Sequence, residues 1–497
     1  MKTILLIALF LLSARADAPA ARADDPSSIN SMTWQPHTGE TFSGGSLKGE
    51  LTYIQVPEDH FDTRSETIEL AVVRYRTTNP NPGPPIFYLA GGPGASGVTY
   101  ASRVATHPQL RLLEHRDVIG IDQRGTGLSS PNLSEPSFPC ELPLDQPATR
   151  AMQVAAFSDA VQRSVAYWQD RGVDLTTYNS MQSADDIDAV RRALGYDRIL
   201  LYGSSYGSHL AIACLRRHQE HVSRALLINV EGPDHTWKLP ASTHDVLTKV
   251  SRLAAHDSRI SAQIPDLMHS IRNLLDRLQT QPVTVTVPDS VIGEQTVVLG
   301  AYDLQVTLAH MLDDVDRIRE IPRLVYLLLG NQWEVLARRA IEHRHGHIHS
   351  AMAIMMDCAS GVSPTRQRLI EKQAADTTHL LQDALHNPFY YESCRHCPPG
   401  DLGDDLRESF TCTVPVLFVS GTLDARTPPD NVEAIAAWFP NHAHVVVTNA
   451  SHDSRELMSR EYRSLVQAFL RGEQVESCTL HLPLLFDDVK APATGVD

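Results

Sequence analysis

Gly203-Ser204-Ser205-Tyr206-Gly207 sets a serine between two glycines, each two residues away. A serine hydroxyl is a poor nucleophile until a neighbouring base takes its proton and a third group orients that base. The surroundings of this pentapeptide favour that chemistry. The apolar run Ile199-Leu200-Leu201-Tyr202 leads into it, and Leu210-Ala211-Ile212-Ala213-Cys214-Leu215 leaves it with helical periodicity. A strand that turns this sharply into a helix must lack bulk on both sides of the serine. The turn then presents Ser205 Oγ beside the N–H groups of a helix start.

Strand, G-x-S-x-G and helix in this order form the nucleophile elbow of an α/β-hydrolase, where serine, acid and histidine follow one another along the chain. The acid belongs in the turn after a late strand. Val416 to Ser420 is such a strand and Gly421-Thr422-Leu423-Asp424 follows it, so Asp424 is the candidate. The base belongs in the loop after the last strand, and His444 to Val447 runs into Asn449-Ala450-Ser451-His452. His452 is the expected base. Asp430, behind Pro428-Pro429, and Asp453, beside the histidine, are carboxylates in less suitable places. Acyl chemistry also needs two backbone donors aimed at the developing oxyanion. The N–H of Tyr206 is one; Gly92, in Gly91-Gly92-Pro93-Gly94-Ala95-Ser96 directly after the strand Ile86 to Leu89, is the other. Asp122-Gln123-Arg124-Gly125-Thr126-Gly127 ends the next strand, and a buried Asp122–Arg124 pair there would brace the nucleophile loop without reacting.

The elements that must carry these residues are legible from their periodicity. Two alternating strands, Leu51 to Val56 and Thr67 to Tyr75, come first. Ile86 to Leu89, Val118 to Ile121, Ile199 to Tyr202 and Ala225 to Val230 are short and almost wholly apolar, as in a parallel sheet covered on both faces. Ser183-Ala184-Asp185-Asp186 has the form of a capping box that opens a helix through Ile187, Val190 and Leu194. Strand-helix alternation of this kind implies βαβ units. After about residue 236 the pattern changes. Leu267, Ile271, Leu274, Leu275 and Leu278 form a helical stripe, Val283 to Val287 with Thr296 to Leu299 suggests a hairpin, and helices are expected at Trp333 to Ile341 and Leu369 to Leu385. The expected fold is a mostly parallel sheet flanked by helices, with a largely helical cap insertion. Its parts are a signal peptide (1–23), a first core segment (24–235), the cap (236–411), a second core segment (412–475) and a tail (476–497).

Composition narrows the function. The formal net charge of −16 argues against nucleic acid, since phosphate binding needs a basic face. Lys2, the apolar stretch Ile4 to Leu12 and Ala21-Arg22-Ala23 make a leader with a small-x-small cleavage site, or Ala14-Arg15-Ala16 as the alternative. The stretch is too short to span a bilayer. The mature chain is therefore expected to be exported, secreted or periplasmic, without membrane attachment. Seven cysteines fit an oxidising compartment. Cys214 is expected as a buried thiol. Cys358, Cys394, Cys397 and Cys412 could form two structural bridges whose pairing the sequence does not fix. His343, His345, His347 and His349 alternate like a metal site, but their flanks read helical, so a solvated cap loop without metal is the expectation.

Together the Gly91–Ser96 loop, the Asp122–Gly125 motif, the Ser205 elbow and the late Asp424 and His452 resemble the prolyl iminopeptidase family, and more closely its tripeptidyl-aminopeptidase-like branch, over residues 49–472. Ala90 stands where those enzymes often carry a histidine. The resemblance implies a serine hydrolase with a helical cap that cleaves residues or short peptides from free N-termini through an acyl-enzyme, with no metal or cofactor. It carries over Ser205 as nucleophile, Asp424 and His452 as its partners, and Gly92 with Tyr206 as oxyanion donors. An aminopeptidase must hold an ammonium group, and Glu231, right after the strand Ala225 to Val230, is the candidate carboxylate. Two other readings stay open: a carboxylesterase using the same triad, and a silent binding protein on the hydrolase scaffold, which would need none of these residues.

Overall fold

The computed structural model describes residues 32–108, 110–289, 293–382, 384, 392–398, 400–453 and 459–490. The expected signal peptide lies outside the described residues. The expected helix Leu369 to Leu385 is shorter than its periodicity suggests: the helix Pro364–Ala374 covers its first part, and residues 375–382 are turns.

The strands of the main sheet are β1 (Gln35–Glu40), β2 (Ser46–Pro57), β3 (Thr67–Tyr75), β4 (Ile86–Leu89), β5 (Val118–Ile121), β6 (Ile199–Ser205), β7 (Val222–Val230), β8 (Val416–Gly421), β9 (His442–Thr448) and β10 (Cys478–His481). They lie in the order β1-β2-β3-β5-β4-β6-β7-β8-β9-β10. The first three pair antiparallel and β3 meets β5 antiparallel. All later neighbours are parallel. The near-continuous apolar character of β4 to β8 follows from helices on both faces. One face carries α2 (Arg150–Gln169), α3 (Ser180–Ala193) and α4 (Tyr206–His218) on Phe87, Leu201 and Phe418. The other carries α1 (Gly97–Ala105) and the helix Arg460–Arg471 on Ile86, Leu200 and Leu417.

Three local expectations change. α3 opens at Ser180, not after a Ser183 cap, because Asn179 Oδ1 accepts from the N–H groups of Met181 and Gln182 and caps the helix four residues before Ser183. β9 is not the last strand: β10 joins it in parallel, Val445 facing Cys478, within the expected tail. Of the late cysteines, Cys358 and Cys394 are bridged; Cys397 Sγ lies 3.5 Å from Cys358 Sγ as a thiol, and Cys412 is a buried thiol, as is Cys214.

Between β7 and β8 the chain builds a separate apolar cluster from α5 (Pro240–His256), α6 (Leu267–Thr280), α7 (Ala301–Met311), α8 (Val315–Leu329) and α9 (Glu334–Arg344), with the hairpin Val283–Asp289 and Gly293–Leu299. The stripe Leu267, Ile271, Leu274, Leu275 and Leu278 faces into it. Packing crosses the expected segment limits. Leu423 and Ala425 on either side of Asp424, and Phe486 and Val489 from the C-terminal stretch, belong to this cluster. Conversely α10 (Ala351–Ser360) sends Met352, Met355 and Cys358 to the sheet face beneath α2 and α3. No described helix is long and apolar enough to cross a membrane.

Candidate active site

Ser205 ends β6 and precedes α4 with φ 55° and ψ −128°. That left-handed backbone is strained in a non-glycine residue and is held by its surroundings. The flanking glycines are required by contact: a Cβ at Gly203 would lie 2.3 Å from Gly207 O, and one at Gly207 2.0 Å from Leu89 O. Ser208 Oγ donates to Ser205 O at 2.6 Å and accepts from Glu231 N–H, tying the elbow to the end of β7.

The three residues drawn from strand ends far apart in the chain meet here. His452 Nε2 is 3.0 Å from Ser205 Oγ, and His452 Nδ1 is 3.0 Å from Asp424 Oδ2. Asp424 is fully buried. Its Oδ1 accepts the N–H groups of Arg426 and Thr427, both at 2.8 Å, and its Oδ2 accepts Thr427 Oγ1 at 2.5 Å. Burial alone would raise its pKa; the opposing His452 charge and these donors outweigh that and bring it down to about 2. Asp424 is thus a carboxylate throughout the useful pH range, able to hold Nδ1–H and keep Nε2 open toward Ser205.

Two residues of the site were not singled out by sequence. Thr427 Oγ1, besides donating to Asp424, lies 3.1 Å from His452 Nδ1. Its signal is only a hydroxyl three residues after the acid, a spacing that many turns share. Asn229 has φ 51° at the end of β7 and donates from Nδ2 to His452 O at 2.5 Å. An asparagine at positive φ is visible only once the backbone is known.

On the other side of the serine, the loop after β4 touches the elbow: a Cβ at Gly91 would stand 3.2 Å from Ser205 Cβ. Gly92 has φ 112°. Asp122, fully buried at the end of β5, fixes this loop. Its Oδ1 accepts Ser96 Oγ at 2.6 Å and Val98 N–H at 2.9 Å, and its Oδ2 accepts Leu128 N–H at 2.7 Å. The Asp122–Arg124 pair expected from sequence does not form. Arg124 points away from Asp122 into a fork with Asp186, 2.8 Å to each oxygen, whose other neighbour is His60. Brace and ion pair are separate structures.

Glu231 is buried beside the site, with one oxygen on Lys238 Nζ and the other 3.3 Å from Thr236 Oγ1. Burial raises its pKa, but Lys238, His209 and the two side-chain donors outweigh this and lower it. The carboxylate expected to be available to a substrate ammonium therefore already holds an ammonium of its own chain. The histidine row is also not a solvated loop throughout. His343 lies half-buried in the last turn of α9 with its ring 4.6 Å from that of His310, while His345, His347 and His349 are exposed. Among the described residues no group of three His, Cys, Asp or Glu is arranged to hold a metal ion.

Residues 84–256 match the family described as alpha/beta hydrolase fold, and residues 384–478 match the family described as TAP-like protein. With the sheet order and the elbow, these matches show the α/β-hydrolase fold. Among curated proteins it is similar to the serine protease Hip1 of Mycobacterium tuberculosis, 27% identical over 43% of this chain and 42% of Hip1. It is similar also to the tripeptidyl aminopeptidase of Streptomyces coelicolor, 28% identical over 37% of this chain and 36% of that enzyme. The putative hydrolase YuaR of Escherichia coli is 24% identical over 51% of each chain. The chain spans about half the length, or less, of the curated relatives it matches.

Proposed function

We propose that the protein is an exported serine aminopeptidase that releases residues or short peptides from free N-termini. The observation that carries this reading is the unbroken relay from Ser205 through His452 to Asp424, with both His452 contacts at 3.0 Å. In this reading Ser205 Oγ attacks the scissile carbonyl while His452 Nε2 takes its proton. The N–H groups of Tyr206 and Gly92 receive the oxyanion. His452 then returns the proton to the leaving amine, and a water, deprotonated by the same imidazole, hydrolyses the acyl-enzyme. The helices between β7 and β8 act as the cap. The match to the TAP-like family and the printed names of the relatives favour a peptide as the acyl donor. Export rests on the N-terminal leader pattern and agrees with the Cys358–Cys394 bridge.

A second reading, carboxylesterase, is favoured by one observation: Glu231 is occupied by Lys238, so a substrate ammonium reaches it only by displacing that lysine. Triad and oxyanion donors do not choose the leaving group. A chromogenic panel separates the two, with free-amine mono-, di- and tripeptide anilides, their N-acylated twins and a short-chain ester, and Ser205→Ala as blank. Turnover confined to the free-amine anilides supports the aminopeptidase. Ester turnover without anilide cleavage overturns it.

A further inference from the structure

The acid and histidine loops of the site rest on the insertion as well as on the sheet. Arg426, two residues after Asp424, reaches between α7 and α8, where its Nε and Nη2 donate to the two carboxylate oxygens of Asp313 at 2.7 and 2.5 Å. The backbone N–H of the same arginine donates to Asp424 Oδ1. The main-chain carbonyl of Asp313 accepts the N–H of Asp453, the residue after His452, at 3.1 Å. Leu423 and Ala425 enter the insertion's apolar cluster on either side of the acid. One residue of the insertion thus holds the loop of the acid by its side chain and the loop of the base by its backbone. Asn229 supplies the opposing grip on His452 O from the sheet.

We propose that Asp313 is a positioning residue for the catalytic relay, setting the separation of the Asp424 and His452 loops through Arg426 and Asp453. The inference rests on the reading of Ser205, His452 and Asp424 as a serine-hydrolase triad. The fork is geometrically suited to the task, because a planar guanidinium bound at two points fixes direction as well as distance. Both side chains are mostly buried, at 26% and 18% exposure, so solvent screens the pair less than a surface bridge. His310 Nδ1 lies 4.0 Å from Asp313 Oδ2. Burial, reinforced by His343, pushes His310 down to about 4, so it is neutral near pH 7 and Arg426 provides the charged fork. Relay distances tolerate little error, since a displacement of about 1 Å costs on the order of 100-fold in rate.

The test counts working sites and their speed separately. Wild type, Ser205→Ala, Asp313→Asn, Arg426→Lys and the control Asp316→Asn are titrated with a fluorophosphonate and then assayed on the best substrate of the panel. Asp316 pairs on the surface with Arg319 and touches none of the relay. Asp313→Asn is expected to lower kcat per titrated serine roughly 10- to 100-fold with KM changed less than about twofold. Arg426→Lys, which keeps the charge and loses the fork, should fall between it and wild type; Asp316→Asn should match wild type. A residue that merely stabilised the fold would reduce the number of titratable sites and leave kcat per site unchanged, and that outcome overturns the proposal. Should Asp313→Asn fail to fold, Arg426→Lys decides: wild-type kcat per site overturns the proposal. A wild type that is neither labelled nor hydrolytic, or turnover surviving in Ser205→Ala, sinks the triad reading instead.

Discussion

Asp122→Asn isolates the brace behind the oxyanion loop. The carboxylate, itself closed to solvent, receives Ser96 Oγ and Val98 N–H on one oxygen and Leu128 N–H on the other. A carboxamide of the same shape has one acceptor oxygen and an NH₂. With its oxygen toward Ser96 and Val98, the NH₂ faces the Leu128 N–H; flipped, it faces the Val98 N–H. Either way one backbone donor loses its acceptor on the buried carboxylate, which costs about 1–3 kcal/mol, the more where it is the buried Val98 N–H, and the remaining bonds lose their charge assistance, for a total of roughly 2–4 kcal/mol. Ser96 is four residues past Gly92 in a loop that touches Ser205, so this strain falls on the loop that carries the oxyanion donor. A shift of about 1 Å there predicts a fall in kcat on the order of 100-fold with little change in KM. Ser96→Ala removes one donor and leaves the carboxylate on both N–H groups, so its loss should be no more than about tenfold. Steady-state kinetics on the best substrate, beside the rate of fluorophosphonate inactivation, checks both. Asp122→Asn with wild-type kcat, or Ser96→Ala as damaging as Asp122→Asn, would refute the argument that this carboxylate sets the loop.

Ser205→Gly should abolish turnover and labelling yet stabilise the fold by about 1 kcal/mol in denaturant titration, because glycine relieves the φ 55° backbone. Asp424 falls from an ordinary 3.8 to about 2 in the folded state, so it contributes roughly 2 kcal/mol of stability above pH ~4 that is lost as pH drops toward 2. The stability gap between wild type and Asp424→Asn should accordingly shrink over that window; a gap independent of pH would contradict the assignment. Glu231→Gln removes the buried counter-charge of the Lys238 ammonium and should destabilise by about 3–5 kcal/mol, with much of the loss recovered in Glu231→Gln/Lys238→Met. Non-reducing peptide mapping should find Cys358 joined to Cys394, and Cys358→Ser should cost ~4 kcal/mol for a bridge with a sequence separation of 36.

What the sequence disclosed and what it hid divide along a physical line. The elbow, the strands and the end-of-strand positions of Asp424 and His452 are local facts, because strand, turn and helix signals and their order along the chain are contained in neighbouring residues. Gly203 and Gly207 announce themselves because any side chain there would collide with backbone at 2.3 Å or less. Pairing across the fold has no such signature. Asp122 and Arg124 are close in sequence, and the simplest inference is that they meet; past the end of β5 the chain turns, and their side chains go to different layers, one to Ser96 and the other to Asp186. Glu231 looked available for the same reason, since nothing in Glu231-Gly232-Pro233-Asp234 says that Lys238 folds back onto it. The acid loop is the fullest case. Its strand and turn belong to the sheet, but Leu423 and Ala425 flank Asp424 with side chains that complete the insertion's core. A carboxylate set between two apolar side chains of another packing unit cannot move without that unit. The insertion is therefore part of the machinery that aligns the relay, and substitutions inside its apolar core should change kcat as well as substrate access.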